Sequence, residues 1–173
     1  MTLLYLRHGQ TDWNAQGRIQ SSTDIPLNET GRAQARERAA ELLSHQPPVE
    51  IIYASPLKRA KETAEIIQSA LGVPLYLDER LVERDFGSLE GKKFDRWLDE
   101  SELAQHGVEP LTALNERVGG FLDELHAARE GKTVLVVAHG CVAFAVHRYY
   151  HGQDDSDTTE YGNAALRHYN RQE

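Results

Sequence analysis

Two histidines in this chain follow apolar stretches of strand length, and each is followed by a glycine. Arg7 and His8 come directly after residues 3–6, and His139 comes directly after residues 133–138. In open α/β sheets, ligands bind beyond the carboxyl ends of the strands, where a glycine lets the backbone turn away. A guanidinium and two imidazoles at such an edge suit an anionic ligand and nucleophilic or acid–base chemistry. We therefore predict that the two imidazoles meet over one edge of a sheet.

Length, composition and charge are those of one ordinary globular domain. The chain has 173 residues, of which 40% are hydrophobic and 27% are charged. A chain of this length buries roughly 70% of its unfolded surface. Its formal charge of −8 disfavours nucleic acids and anionic membranes as partners. We predict a single domain over residues 1–173, with a small cap or insert around 92–112, and the sequence does not distinguish a monomer from a homodimer.

Cysteine use and the position of the first strand bear on the cellular compartment. Cys141 is the only cysteine, which excludes an intrachain disulfide and fits a reducing compartment. No stretch approaches the about 20 apolar residues of a membrane span. The first predicted strand begins at residue 2 or 3 and leaves no room for a signal peptide. From these features we expect a cytoplasmic protein.

Strand and helix patterns alternate along the chain. Buried strands are predicted at residues 3–6, 51–54, 73–77, 133–138 and 164–169, and helices at 29–43, 56–71, 94–108, 111–125 and 141–151. Asn28 and Ser55 are the predicted N-caps, with Pro56 at a first helical position and Gly72 as a C-terminal cap. Residues 12–25 and 80–91 are predicted loops. This succession predicts a three-layer α/β/α fold with a mostly parallel central sheet of about five to six strands and helices on both faces.

Four blocks of sequence carry a resemblance to a known family. They are RHGQTDWN at 7–14, SPLKRA at 55–60, ERDFG at 83–87 and AHG at 138–140. In this order they resemble the histidine phosphatase superfamily, in the branch that holds cofactor-dependent phosphoglycerate mutases and small phosphatases such as α-ribazole phosphatase. The resemblance spans residues 2 to about 150 and implies a phosphoglycerate mutase-like fold and phosphate chemistry.

The residue types of these blocks suit phosphoryl transfer, which needs a nucleophile, cations on the phosphoryl oxygens and a proton for the leaving oxygen. A neutral ring nitrogen of His8 could attack phosphorus and form a covalent phosphohistidine, and the resemblance implies a backbone carbonyl that pins its other nitrogen. Arg7 and Arg59 would bind phosphoryl oxygens, Arg59 from the first turn of the helix after the second strand. His139 in its charged form would stabilise the group in transfer.

The resemblance assigns the proton transfers to Glu83, which would protonate the leaving oxygen and later activate water. Asp85 is the alternative, because both lie in one irregular acidic segment. A carboxyl with this task should have a raised pKa. Asn14 is expected to donate its amide to a phosphoryl oxygen. The other expected substrate contacts are Gln20, Ser21 and Gly140.

Departures from the branch favour hydrolysis over a mutase reaction. A mutase must hold a bisphosphorylated intermediate away from water, which calls for a second group of cations. The segment 94–110 offers only Arg96 as a fixed cation, against five carboxylates, Asp95, Asp99, Glu100, Glu102 and Glu109. We therefore predict a phosphomonoesterase that uses neither a metal nor a cofactor and acts on a small phosphorylated molecule.

Other functions stay open at this stage. A phosphomutase and a protein phosphohistidine phosphatase would use the same residues, and a non-catalytic phosphate-binding module would need the cations but no nucleophile or proton donor. A zinc site on the two histidines is disfavoured, because Arg7 and Arg59 would repel a divalent cation.

Overall fold

A computed structural model describes residues 1–93, 98–152 and 162–170. These ranges contain five strands, β1 (Thr2–Arg7), β2 (Ile51–Ala54), β3 (Leu75–Leu77), β4 (Thr133–Ala138) and β5 (Leu166–Asn170). They also contain six α-helices, α1 (Asp12–Ala15), α2 (Glu29–Leu43), α3 (Lys58–Leu71), α4 (Glu100–Gln105), α5 (Leu111–Ala128) and α6 (Gly140–His151). None of the helices in this part of the chain has both the length and the apolar character needed to cross a bilayer.

The strands form one mostly parallel sheet, as the sequence predicts. Their order is β3-β2-β4-β1-β5, in which only β5 runs antiparallel to its neighbour. The register pairs Arg7 with Ala138 and Ala54 with Val137. The carboxyl ends of β1, β4 and β2 are therefore level, and the residues that follow these strands emerge at one edge of the sheet.

Alternate residues of the central strands enter two separate cores, which confirms the predicted three layers. One core packs the sheet against α5 and α6, and its strand residues include Leu3, Tyr5, Val134 and Val136. The other packs it against α2 and α3, and its strand residues include Leu4, Leu6, Leu135 and Val137. A central parallel strand is covered on both faces, which explains the unbroken apolar run of β4.

Most predicted helix ends agree with the structure, but one cap does not. The Asn28 side chain accepts from the Gly31 N–H at 2.9 Å and begins α2, and Gly72 ends α3 with a φ of 69°. The prediction that Ser55 caps α3 is wrong, because that helix begins only at Lys58. The Ser55 hydroxyl instead bonds to His139 at the edge of the sheet.

The other differences lie in the connecting segments. The predicted loop 12–25 contains α1, and the predicted loop 80–91 overlaps two 3₁₀ turns, Glu79–Leu81 and Gly87–Leu89. Of the helix predicted at 94–108, the structure has α4, while 94–97 lie outside the described residues. The strand predicted at 73–77 begins only at Leu75, because Pro74 has no N–H for a sheet bond. The last strand starts at Leu166 rather than 164, because Ala164 has a φ of 56°, which is not extended.

The loop after β1 lies directly against the first turn of α2. A Cβ on Gly31 would stand 2.1 Å from the Gln10 carbonyl oxygen, and a Cβ on Gly9 would stand 2.4 Å from the Gly31 carbonyl oxygen. Neither position has room for a side chain. The Gln10 N–H also donates to Gln34 Oε1 at 2.9 Å. Helix α2 therefore fixes the turn that follows His8.

Replacing Gly31 with alanine should destabilise the protein, although alanine is the better helix former by about 1 kcal/mol. Opening the backbone contact should lower the free energy of unfolding by about 1–3 kcal/mol, measured by urea denaturation. Gly120→Ala in α5 is the matched control, because nothing outside its own helix backbone lies within 4 Å of the place its methyl group would take, and it should raise stability. Equal stabilisation by both substitutions would contradict this packing.

Candidate active site

Two imidazole rings meet at the sheet edge formed by β1 and β4. The ring centroids of His8 and His139 are 5.2 Å apart, with an angle of 61° between the planes. Both residues are buried. They follow adjacent parallel strands, whose level ends bring them together across 131 positions of sequence (139 minus 8).

His8 has one defined neutral form. Its Nδ1 lies 2.7 Å from the Gly9 carbonyl oxygen, and because a carbonyl can only accept, Nδ1 carries the proton. The lone pair is then on Nε2. Burial lowers the pKa of His8 well below its ordinary value, and the positive charges of Arg7 and Arg59 lower it further. The ring is therefore neutral at pH 7 and offers Nε2 as a nucleophile.

Contacts from distant segments hold the loop that carries His8. The Gly9 N–H donates to Thr63 Oγ1 at 3.1 Å. The His8 carbonyl oxygen accepts from the Ala164 N–H at 3.1 Å and from Asn163 Nδ2 at 3.3 Å. Sequence reasoning missed Thr63 and Asn163, because a polar residue within a helix or a turn gives no local sign of its partner.

Arg59 is a fully buried cation beside these rings. Its two terminal nitrogens donate to the carbonyl oxygens of Thr23 at 3.1 Å and Ser21 at 2.8 Å. Its Nε is buried and has no hydrogen-bond partner among the described residues. Burial lowers the pKa of Arg59, while nearby carboxylates, above all Glu83, oppose this shift. A guanidinium stays charged under these conditions, so the Nε–H donor of this buried cation is open to a ligand.

His139 also keeps one ring nitrogen without an internal partner. Its Nε2 lies 2.8 Å from Ser55 Oγ, which accepts from the Leu57 N–H at 3.3 Å. The serine hydroxyl can donate to Nε2 or accept from Nε2–H, and Nδ1 is the other ring nitrogen. That nitrogen is buried and makes no hydrogen bond to any described residue. Buried polar atoms nearly always have a partner, so this nitrogen is available to a ligand or a water molecule.

The charge of His139 differs from the form expected from the sequence. Burial lowers its pKa well below the ordinary value, and the positive charges of Arg59 and Arg7 lower it further. In this structure the ring is therefore neutral at pH 7. The backbone at this position is fixed by Tyr5, whose hydroxyl donates to the His139 carbonyl oxygen at 2.6 Å.

Arg7 and Glu83 flank Gly140, the first residue of α6. A Cβ at Gly140 would lie 3.8 Å from both Arg7 Cζ and Glu83 Oε2. Glu83 Oε1 accepts from the N–H groups of Arg84 at 2.9 Å and Cys141 at 3.2 Å. Burial raises the pKa of Glu83 despite these bonds and the nearby arginines. The structure thus places a carboxyl with a raised pKa beside the cations.

The alternative carboxyl, Asp85, has a different environment. It is exposed, and its Oδ1 accepts from the Gly87 N–H at 2.8 Å. It therefore stabilises its own turn. The segment that precedes Glu83 is held from α5 by Arg117, which donates to the Val82 carbonyl oxygen at 2.8 Å and pairs with Glu109 at 2.8 Å.

Several carboxylates of the acidic segment are used within the fold. Glu100 binds the nearly buried guanidinium of Arg84 through both oxygens, at 2.7 and 3.1 Å. Asp99 and Glu102 form the capping box of α4. Asp95 and Arg96 lie outside the described residues. Part of the negative charge counted from the sequence is therefore taken up by structural pairs.

The remaining predicted contacts lie on the loops around the site. Asn14 Oδ1 accepts from the Thr11 N–H and from Asn163 Nδ2, each at 3.0 Å. These bonds use the oxygen of the side chain, and donation from its amide nitrogen to a phosphoryl oxygen stays a prediction. Gln20 Oε1 accepts from Thr11 Oγ1 at 2.8 Å. Ser21 was expected to touch substrate, but its N–H, hydroxyl and carbonyl each bond within the protein. Ser21 thus supports the loop, and its contact with a substrate stays a prediction.

Together these groups have the properties that phosphoryl transfer requires. One neutral imidazole has a defined lone pair, guanidinium groups supply positive charge, two buried nitrogens lack internal partners among the described residues, and a carboxyl has a raised pKa. Within the described ranges, no three His, Cys, Asp or Glu side chains converge as metal ligands.

Comparison with known proteins agrees with this geometry. The chain is 40% identical over 163 residues to the uncharacterized phosphatase PhoE of Bacillus subtilis, a match that covers 93% of this chain and 83% of that protein. It is 33% identical over 172 residues to phosphoserine phosphatase 1 of Hydrogenobacter thermophilus, a match that covers 92% of this chain and 81% of that protein.

Solved structures show the same fold. The structure of Bacillus stearothermophilus YhfR matches with a TM-score of 0.85 at 30% identity, over 96% of this chain and 89% of that one. The Entamoeba histolytica phosphoserine phosphatase in complex with 3-phosphoglyceric acid matches with a TM-score of 0.82 at 27% identity, over the same shares. The family model of the histidine phosphatase superfamily (branch 1) matches residues 3–173. The chain is therefore a member of the histidine phosphatase superfamily, branch 1.

Proposed function

We propose that this protein hydrolyses phosphomonoesters through a covalent phosphohistidine at His8, with Glu83 as general acid and then general base. The observation that carries the proposal is the bond from His8 Nδ1 to the Gly9 carbonyl oxygen. It leaves the lone pair on Nε2, in a site where two buried nitrogens, Arg59 Nε and His139 Nδ1, have no partners among the described residues.

In the first step, His8 Nε2 attacks phosphorus while the bond from phosphorus to the ester oxygen breaks. Glu83, whose pKa burial raises, gives its proton to that departing oxygen. Arg7 and Arg59 bind the phosphoryl oxygens. The negative charge of a bound phosphate raises the pKa of His139 from its lowered value, so that the charged form expected from the sequence arises only with substrate.

In the second step, the Glu83 carboxylate takes a proton from water as the water oxygen attacks phosphorus. The phosphorus–nitrogen bond breaks, its electron pair returns to His8 Nε2, and inorganic phosphate leaves. Both residues end in their starting states. The positive charge that other phosphatases take from metal ions is supplied in this scheme by arginines.

His8→Ala should abolish turnover of p-nitrophenyl phosphate, because it removes the nucleophile. A rapid quench with labelled substrate should trap a phosphoryl group on the wild-type protein and none on the variant. His151→Ala, at the exposed end of α6, is the control and should keep full activity. Residual label on the alanine variant would move the nucleophile to another residue.

Glu83→Gln should lower kcat/KM for alkyl phosphates far more than kcat/KM for p-nitrophenyl phosphate, whose leaving group needs no proton in the first step. The wild-type pH profile of kcat/KM for alkyl phosphates should fall on the alkaline side as Glu83 loses its proton. Because the Glu83 pKa is raised, that limb lies above the pH of an ordinary carboxyl. The acid limb should lie below the ordinary His value, because the His8 pKa is lowered.

Asp85→Asn is the matched control for Glu83→Gln, since it neutralises a neighbouring carboxyl that is exposed. The Asp85→Asn variant should keep the wild-type difference between alkyl and aryl substrates, and its pH profile of kcat/KM should keep the alkaline limb. Equal losses on alkyl and aryl substrates for Glu83→Gln, or loss of the alkaline limb in Asp85→Asn, would reassign the acid.

A substrate panel separates hydrolysis from the other functions. With a chelator present, release of phosphate should continue unchanged from at least one of phosphoserine, 3-phosphoglycerate, sugar phosphates, nucleotides and a phosphohistidine peptide. Interconversion of phosphoglycerate isomers faster than phosphate release, on addition of bisphosphoglycerate, would indicate a mutase. Binding of phosphate without release from any ester would indicate a phosphate-binding module.

A further inference from the structure

One carboxylate outside the reacting groups is bound to the loop that carries the partners of Arg59. Glu90 Oε1 accepts from the Ser21 N–H at 3.2 Å and from the Thr23 N–H at 2.6 Å. The carbonyl oxygens of the same two residues accept from the terminal nitrogens of Arg59, at 2.8 and 3.1 Å. Residues 21–23 thus lie between an anion and a buried cation, with donors toward one and acceptors toward the other.

We propose that Glu90 is a positioning residue, which sets the orientation of the Arg59 guanidinium through residues 21–23 and so controls phosphate affinity. The inference rests on the proposed function only in taking Arg59 as a phosphate ligand. The bonds of Glu90 go to the backbone of residues 21–23 and not to the reacting groups. Its effect on the orientation of the guanidinium therefore passes through the backbone of Ser21 and Thr23, whose carbonyl oxygens accept from Arg59.

The burial of Arg59 explains why such support is needed. A buried guanidinium without fixed partners is costly, because its hydration is lost. Two carbonyl oxygens can replace that hydration only if their loop stays in place. Residues 12–25 are mostly loop, with the single-turn helix α1, so the loop needs an external anchor. Glu90 supplies two charge-assisted bonds to it, and its charge also opposes the burial-induced fall of the Arg59 pKa.

The backbone next to Glu90 gives this anchor its own fixed position. The Gly91 N–H donates to the Ile19 carbonyl oxygen at 2.9 Å, and the Ile19 N–H donates to the Lys92 carbonyl oxygen at 2.9 Å. The two segments therefore run side by side, and the Glu90 side chain meets residues 21–23 immediately beyond this pairing. Because the carbonyl oxygens of Ser21 and Thr23 hold both terminal nitrogens of Arg59, the direction of its Nε–H bond is fixed as well.

The test is a double-mutant cycle read by binding of inorganic phosphate in isothermal calorimetry. Glu90→Gln keeps the size of the side chain and removes the charge, and should raise the Kd for phosphate roughly tenfold, as expected for loss of about one charge-assisted hydrogen bond. The Arg59→Met variant replaces the guanidinium with an apolar side chain of similar length that can fill the buried space. In this background there is no guanidinium to orient, so Glu90→Gln should change the Kd less than twofold. Glu79→Gln, on an exposed residue of the same stretch, is the charge control and should leave the Kd unchanged.

The cycle separates positioning from general stability. Equal effects of Glu90→Gln in both backgrounds, or an unchanged Kd in the wild-type background, would overturn the inference. Glu90→Asp, a shorter carboxylate, should recover part of the affinity at unchanged melting temperature, and no recovery would count against it. Because binding is measured without turnover, absence of hydrolysis by the wild-type protein would contradict the proposed function alone.

Discussion

Burial of one permanent positive charge is the constraint on which the rest of the site depends. The Arg59 guanidinium is fully buried, and a charge taken out of water needs partners that cannot move. The carbonyl oxygens of Ser21 and Thr23 supply them. Their loop must then be held in turn, which explains why a segment with little regular structure bonds to Glu90 and to the 85–86 turn.

The same charge determines the protonation of its neighbours. It lowers the pKa values of His8 and His139, both already lowered by burial. A site built this way keeps both imidazoles neutral at pH 7, and a neutral His8 has a nitrogen lone pair. The Gly9 carbonyl oxygen then selects the nitrogen that carries the lone pair. Electrostatics and one local hydrogen bond thus give His8 a neutral ring with its lone pair on Nε2.

Charged residues that look equivalent in the sequence divide into two groups in the structure. Glu83 lies beside Gly140 with a raised pKa, whereas Asp85, two positions later, caps an exposed turn. Glu100 and Glu109 pair with Arg84 and Arg117, which surround the Glu83 segment. The other described carboxylates of residues 98–110, Asp99 and Glu102, form the capping box of α4. The carboxylates of this range therefore have structural roles, and a count of their charges overstates the negative charge left to meet a ligand.

The sequence by itself determined the layers of the fold and the meeting of the two histidines. Strand-length apolar runs end in His8 and His139, and parallel strands of one sheet end at a common edge, so local periodicity was sufficient. Only the tertiary structure decided what Ser55, Asn163 and Glu90 do, because each acts through a hydrogen bond to a residue far away in the chain. Such bonds follow no period and depend on which loops the packing of α2 and α3 brings together. The environment that separates Glu83 from Asp85 was decided in the same way, since burial of a loop carboxyl is a property of its surroundings and not of its neighbours in sequence.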